Sequence, residues 1–209
     1  MKKYEFTGET KIINTLNGEI TLRRIKASME FGVIKAGDIG GWIEKEANIS
    51  ENGNAWVCGN AEVWGDAKVW GDAEVWGDAK VWGDAKVWGN AEVSGDAKVW
   101  GNAKVWGNAE VYGNAEVWGD AKVYGDAEVW GDAEVNNPKH ILVIGAIGSR
   151  NDFTTFYRNK HNGITVKCGC FNGEIKEFLK KVQETHGDNQ HAIIYKAAAE
   201  LAKLQIDLS

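Results

Sequence analysis

The sequence predicts a mainly β protein built on a parallel β-coil, with a β-rich cap before the coil and a small α+β domain after it. Three observations carry this. Residues 53–136 divide into fourteen hexapeptides of the form G-[DN]-A-x-V-[WYSCN] without an insertion. In each unit Ala and Val stand two apart and share one side of a short extended segment, while the residue between them and the one after Val share the other side. Gly followed by Asp or Asn then supplies a corner, because Gly accepts positive φ and Asp or Asn accepts turn geometry. A six-residue strand cannot bury its own Ala and Val, so successive units must wind into a coil filled with stacked Val and Ala.

The repeat resembles the hexapeptide-repeat superfamily of left-handed parallel β-helices, over about two-fifths of the chain. That resemblance implies a triangular prism with three hexapeptides, 18 residues, in each coil. It also implies left-handed winding, against the usual right-handed preference of parallel crossovers. Folding the units in this register sorts the outward residues onto three faces. The first carries Trp64, Trp82, Trp100 and Trp118, the second Trp70, Trp88, Trp106 and Tyr124, and the third Cys58, Trp76, Ser94, Tyr112 and Trp130.

Charges sort with the rings. The second face has Lys68, Lys86, Lys104 and Lys122, the third Glu74, Glu92, Glu110 and Glu128, and the first a mixture of Glu62, Lys80, Lys98, Glu116 and Glu134. Like charges stacked one strand apart repel, so some other factor must favour the sorting. A cyclic homo-oligomer, a trimer for preference, that sets the lysine face of one subunit on the glutamate face of the next pairs these charges and covers Trp70, Trp88 and Trp106. Two alternatives stand beside it: the rings simply protect the prism surface, and duplication of an 18- or 36-residue block copied the charges by inheritance.

Before the repeat, residues 1–52 read as a β-rich cap, with alternating stretches such as EITLRRIKA and with Gly37-Asp38 and Gly40-Gly41 as turn signals. A solenoid end left bare exposes strand edges and an open core. The stretch AGDIGGWIEKEANISENGNAWV resembles a segment of phage and prophage proteins in which it precedes the same kind of coil. The resemblance implies a source and not an activity.

After Asn136-Asn137-Pro138 the period stops, as a residue without an N–H requires. Residues 137–209 read as three strands (HILVIGAIG, DFTTFYRN, GITVKCGCF) and two amphipathic helices, the first with Ile175, Phe178, Leu179 and Val182 on its apolar face and Gly187 as its stop. This unit also resembles the tail of phage-borne hexapeptide proteins.

Net charge is −6, unevenly placed: residues 53–136 hold 6 lysines against 15 acids, and residues 137–209 hold 10 basic against 7 acidic side chains. The acidic middle argues against binding duplex nucleic acid, while the basic tail suits an anion. Gly145–Arg150 is a Gly-containing turn after an apolar strand, able to present N–H groups, Ser149 and Arg150 to a phosphate. With strands two and three paired, Thr154, Thr155, Tyr157, Arg158 and Lys167 join them on one concave side, where Tyr157 or Phe156 stacks on a base. The ligand-binding residues expected are thus Ser149, Arg150, Thr155, Tyr157, Arg158 and Lys167; the competing reading is a solvated sheet face and a tight turn.

Other chemistries fit less well. The coils hold no loop and no histidine, which the acyltransferases of the hexapeptide superfamily use, and residues 53–136 contain no threonine for ice binding. The turn lacks the lysine and spacing of a P-loop. Cys168-Gly169-Cys170 lacks the paired spacing of a structural zinc site, so no metal or cofactor is expected; both cysteines read as buried small hydrophobes on one side of a strand. His186 reads as a cation at a helix C-terminus. No apolar run reaches signal-peptide or membrane-span length, which predicts a cytoplasmic protein of a bacterial host with no membrane partner. The function expected is therefore a non-enzymatic, homo-oligomeric phage-type binding protein that sequesters a small anionic ligand, a nucleotide of host defence signalling. The alternative is a scaffold that captures a protein partner with its tryptophan ladders.

Overall fold

A computed structural model describes residues 2–209. It has the predicted architecture: a parallel β-solenoid of about five coils of ~18 residues, preceded by an antiparallel β-hairpin and followed by a small α+β unit. Two of the three solenoid faces are five-stranded sheets, and the third is extended to eight strands by the N-terminal elements. Every inter-coil pairing within the repeat is parallel and in register, as in Val87↔Val105 and Val93↔Val111.

The repeat sequence explains each layer. The Ala and Val of every hexapeptide are at most 1% exposed and form one continuous column of core, each valine worth about 1.5–3 kcal/mol in burial. The corner glycines have φ between +60° and +79° within the repeat, and at most of them a methyl group would sit about 3 Å from the backbone of the glycine one coil on. Glycine is therefore required twice over, for its conformation and for the close approach of successive corners. Beside it, asparagine stitches the corners from outside: Asn54, Asn90 and Asn108 donate to Asp72, Asn108 and Asp126 at 2.7, 3.0 and 2.8 Å.

The solenoid begins ahead of the hexapeptides. Strands β1 (Tyr4–Thr15) and β2 (Gly18–Ala27) form the hairpin, and β3 (Ile39–Ile43) pairs antiparallel with β2 on one edge and parallel with Glu62–Val63 on the other. Ile43, Ile49 and Val57 then fill the first coil, and Asn48 takes the corner, its amide donating to the Gly65 and Ala67 carbonyls at 3.1 and 2.9 Å. Gly37 does turn the chain, at φ +93°, but Gly40 and Gly41 lie inside β3. A methyl group at Gly40 would meet Ile25 at 2.5 Å and Trp56 at 2.7 Å, and one at Gly41 would meet the Ala61 carbonyl at 2.7 Å. These two glycines are packing residues and not turn residues.

The end of the N-terminal core is closed by Tyr4, Phe31 and Trp56, the last two edge-to-face at 5.3 Å. Lys3 reaches across this end to donate to the Ala55 carbonyl at 2.8 Å. Its burial holds its ammonium at about pKa 8.

The C-terminal unit has four strands and not three: Ile141–Ile147, Asp152–Arg158, Ile164–Cys168 and Phe171–Glu174, in that order in an antiparallel sheet. Gly169, at φ +55°, turns the chain directly after Cys168, so Cys168 is buried while Cys170 is exposed beyond the strand. The expectation that both cysteines are buried on one side fails for that reason. Helix α1 (Ile175–His186) stops at Gly187, φ +56°, and α2 (Gln190–Gln205) starts from Asn189, whose side chain accepts from the Ala192 N–H. The helices cover one face of the sheet around Phe156, Val166, Phe178 and Tyr195. Ile141 and Tyr157, from the other face, join the solenoid core. No helix among the described residues is long and apolar enough to cross a membrane.

Candidate functional site

Three surfaces hold the residues singled out by sequence. The first is the outside of the solenoid. Trp64, Trp82, Trp100 and Trp118 stack with ring centroids 4.8–5.0 Å apart and planes within 4° of parallel. Trp70, Trp88 and Trp106 do the same on the second face, ending on Tyr124 at 5.0 Å. Each pair contributes about 0.5–1.5 kcal/mol beyond its buried area. The third face is interrupted: Ser94 stands where a ring would be, and Tyr112 meets Trp130 at 62°.

The lysine column is in register strand by strand, Lys68↔Lys86↔Lys104↔Lys122, and so is the glutamate column, Glu74↔Glu92↔Glu110↔Glu128. Among the described residues none of the four lysines has an ion-pair partner, whereas Glu128 has one, Lys167. On the mixed first face the charges do pair within the chain, Lys98 with Glu116 at 2.9 Å and Lys80 with Glu62 at 3.5 Å. Burial, followed by the neighbouring carboxylates of the column, holds Glu74 and Glu110 above the usual carboxylate range.

The second surface is the joint between the last coil and the C-terminal sheet, and it contains four of the six expected ligand-binding residues. Strand alternation sends Thr155, Tyr157 and Lys167 toward the solenoid and Thr154 and Phe156 toward the helices, so the five polar residues do not share one concave side. Thr155 accepts from the Glu128 N–H at 3.1 Å, and the Tyr157 hydroxyl accepts from the Trp130 N–H at 3.3 Å and lies 3.1 Å from its carbonyl oxygen. Lys167 sits 2.8 Å from the Glu128 carboxylate and 4.2 Å from the Trp130 ring. Arg158 lies 3.7 Å from Glu134. Phe156 and Tyr157 are both 0% exposed, which leaves neither ring able to stack on a base. Burial pushes the Tyr157 phenol well above its ordinary pKa. The polar residues of this face cap the solenoid.

The third surface keeps the other two. Ser149 and Arg150 line a cleft of about 380 Å³ with Lys181, Thr185 and His186 at its rim and Phe171, Phe178, Val182 and Tyr195 along its floor. Gly148, at φ +69°, lets the turn lie against the Tyr195 ring, where a methyl group would collide with it. Arg150 packs over Gly169 in the same way. Ser149 Oγ is 3.4 Å from His186 Nε2, and the His186 ring stacks on Tyr195 at 5.8 Å. Burial raises the Tyr195 phenol above its ordinary pKa.

Sequence reasoning missed Lys181, Thr185 and His186 as partners of the turn. The signal was present: 178, 181, 182, 185 and 186 follow helical spacing and so share one side of α1. The cleft offers two basic side chains, the hydroxyls of Ser149 and Thr185, an imidazole and an aromatic floor, a donor set for a small anion with a planar part. No cluster of three potential metal ligands exists among the described residues. No protein-family profile matches the chain, and no curated protein sequence does.

Proposed function

We propose that this protein is a non-enzymatic, homo-oligomeric binding protein whose C-terminal cleft takes a small anion of nucleotide class. The solenoid, wound left-handed as the repeat's resemblance implies, serves as the assembly module. The observation that carries the reading is the cleft itself, with Arg150, Lys181 and His186 around an aromatic floor, in the basic part of an otherwise acidic chain. Assembly is supported by the sorted columns, four lysines without ion-pair partners among the described residues on one face and four glutamates, of which only Glu128 is paired, on the next. The phage-type N-terminal segment supports a role inside a bacterial host cytoplasm, where sequestering a nucleotide signal would counter defence. The scaffold reading keeps one observation of its own, the exposed rings Trp76, Tyr112 and Tyr124.

The test is isothermal titration calorimetry with ATP, cyclic AMP and inorganic phosphate. Wild type should bind at least one nucleotide, and Arg150→Ala with Lys181→Ala should weaken it by about tenfold or more, the loss of two charge-assisted contacts. Unchanged affinity in the double variant would remove the cleft from consideration. Loss of partner capture on Trp88→Ala with no nucleotide binding by wild type would favour the scaffold.

A further inference from the structure

The break in the third ring column makes a slot. Trp76 and Tyr112 flank Ser94 from the coils on either side, and with Glu92, Glu110 and Trp130 they line a cleft of about 370 Å³. Ladder spacing puts the two flanking residues about 10 Å apart, two strand steps, so a cation midway would lie about 5 Å from each and within cation–π range of both rings. Two carboxylates face it, and Ser94 is only 4% exposed with no hydrogen bond from its hydroxyl among the described residues. Aromatic walls, two acids and the Ser94 hydroxyl together describe a receptor for an ammonium group.

We propose that this slot receives the Lys104 side chain of a second copy of the chain, an inference that rests on the homo-oligomer reading above. The occupant follows from charge and height. Among the described residues the lysine column has no ion-pair partner, and it repeats along the same axis with the same strand spacing as the glutamates. In a closed ring about an axis parallel to the solenoid, symmetry allows no axial shift between copies. Each residue then faces its neighbour at its own height. A coil advances about 4.8 Å, so Lys104 stands roughly 3 Å above Glu92 and 2 Å below Glu110, between the two acids that line the slot. Lys86 falls between Glu74 and Glu92 and Lys122 between Glu110 and Glu128, and neither Glu74 nor Glu128 lines the slot. Lys86 and Lys104 stand at similar distances from the height of Ser94, about 2 Å below and about 3 Å above it, and Lys104 is the one whose two flanking acids are both slot residues.

Sedimentation equilibrium on the full chain tests this with three variants. Ser94→Trp fills the slot and continues the ring column, as rings do on the other two faces. Lys104→Met removes the ammonium and keeps the stem. Each should raise the dissociation constant of the oligomer by about tenfold, and the double variant should be little weaker than either alone because both remove one contact. Lys68→Met, at a height without a slot, should cost about threefold or less. Thermal unfolding of Ser94→Trp should match or exceed wild type. An oligomer whose constant is unmoved by Ser94→Trp and Lys104→Met, or is weakened additively by them, overturns the slot assignment while leaving the assembly reading standing. A monomeric wild type overturns both.

Discussion

The spacing of the coils is set by glycine, and two corners separate the reasons. Gly89 has φ +76°, and a methyl group there would stand 3.0 Å from both the N and the O of Gly107; Gly125 has φ +68° and nothing within 4 Å. Alanine at Gly125 meets only the left-handed backbone penalty, about 1–2 kcal/mol, partly offset by the lower entropy of the unfolded chain. Alanine at Gly89 meets the same penalty and a backbone that cannot yield, because the Gly107 carbonyl is held by the Asn90 N–H at 2.8 Å. Overpacking of that kind adds about 1–3 kcal/mol. Gly89→Ala should therefore lose about 2–4 kcal/mol and Gly125→Ala about 1, as read by urea unfolding followed by circular dichroism. A solenoid can unfold in segments, so the comparison rests on the early transition as well as the midpoint. Equal losses at the two corners would refute the claim that inter-coil contact, and not φ alone, demands glycine.

Three further outcomes follow from the same structure. Trp88→Ala removes two stacked contacts, to Trp70 at 4.9 Å and Trp106 at 5.0 Å, and should cost about 1–3 kcal/mol in thermal unfolding; no loss would mean the ladder is decorative. Lys167→Met breaks the ion pair with Glu128 at the joint and should destabilise the chain by about 1–2 kcal/mol while leaving anion binding by calorimetry unchanged; lost binding with intact stability would return Lys167 to the ligand site. Lys3, held near pKa 8 by burial against 10.5 when unfolded, binds fewer protons folded than unfolded between those values. Stability therefore rises with pH across that window. Relative to Lys3→Met, wild type should gain about 1–2 kcal/mol between pH 7.5 and 10 after allowance for solvent screening, and a flat or falling difference would contradict the burial.

The coil was legible because every hexapeptide repeats its Ala and Val inward and its corner glycine, and most add an outward charge and ring. The first coil was not, because Ile43, Ile49 and Asn48 do the same work without the period. Gly40 and Gly41 read as a turn because a sequence shows that a side chain is missing but not which neighbour forbids it. Period-two alternation separates Thr155, Tyr157 and Lys167 from Thr154 and Phe156, a signal that the reading of one shared concave side passed over. What it could not tell was that the polar set would be spent on the end of the solenoid, since that depends on how the sheet sits across the last coil. The cleft was half legible: the Ser149-Arg150 turn stood out locally, whereas Lys181 and His186 reach it only through the packing of α1 on the sheet.

Native mass spectrometry of the gently purified full chain tests the central claim most directly, because one spectrum reports subunit number and retained ligand together. The account predicts a closed oligomer, a trimer for preference, carrying additional nucleotide-sized mass that is lost in the Arg150→Ala and Lys181→Ala double variant. A bare monomer at the same concentration would contradict it, leaving the sorted lysine and glutamate faces without a partner and the cleft without a ligand.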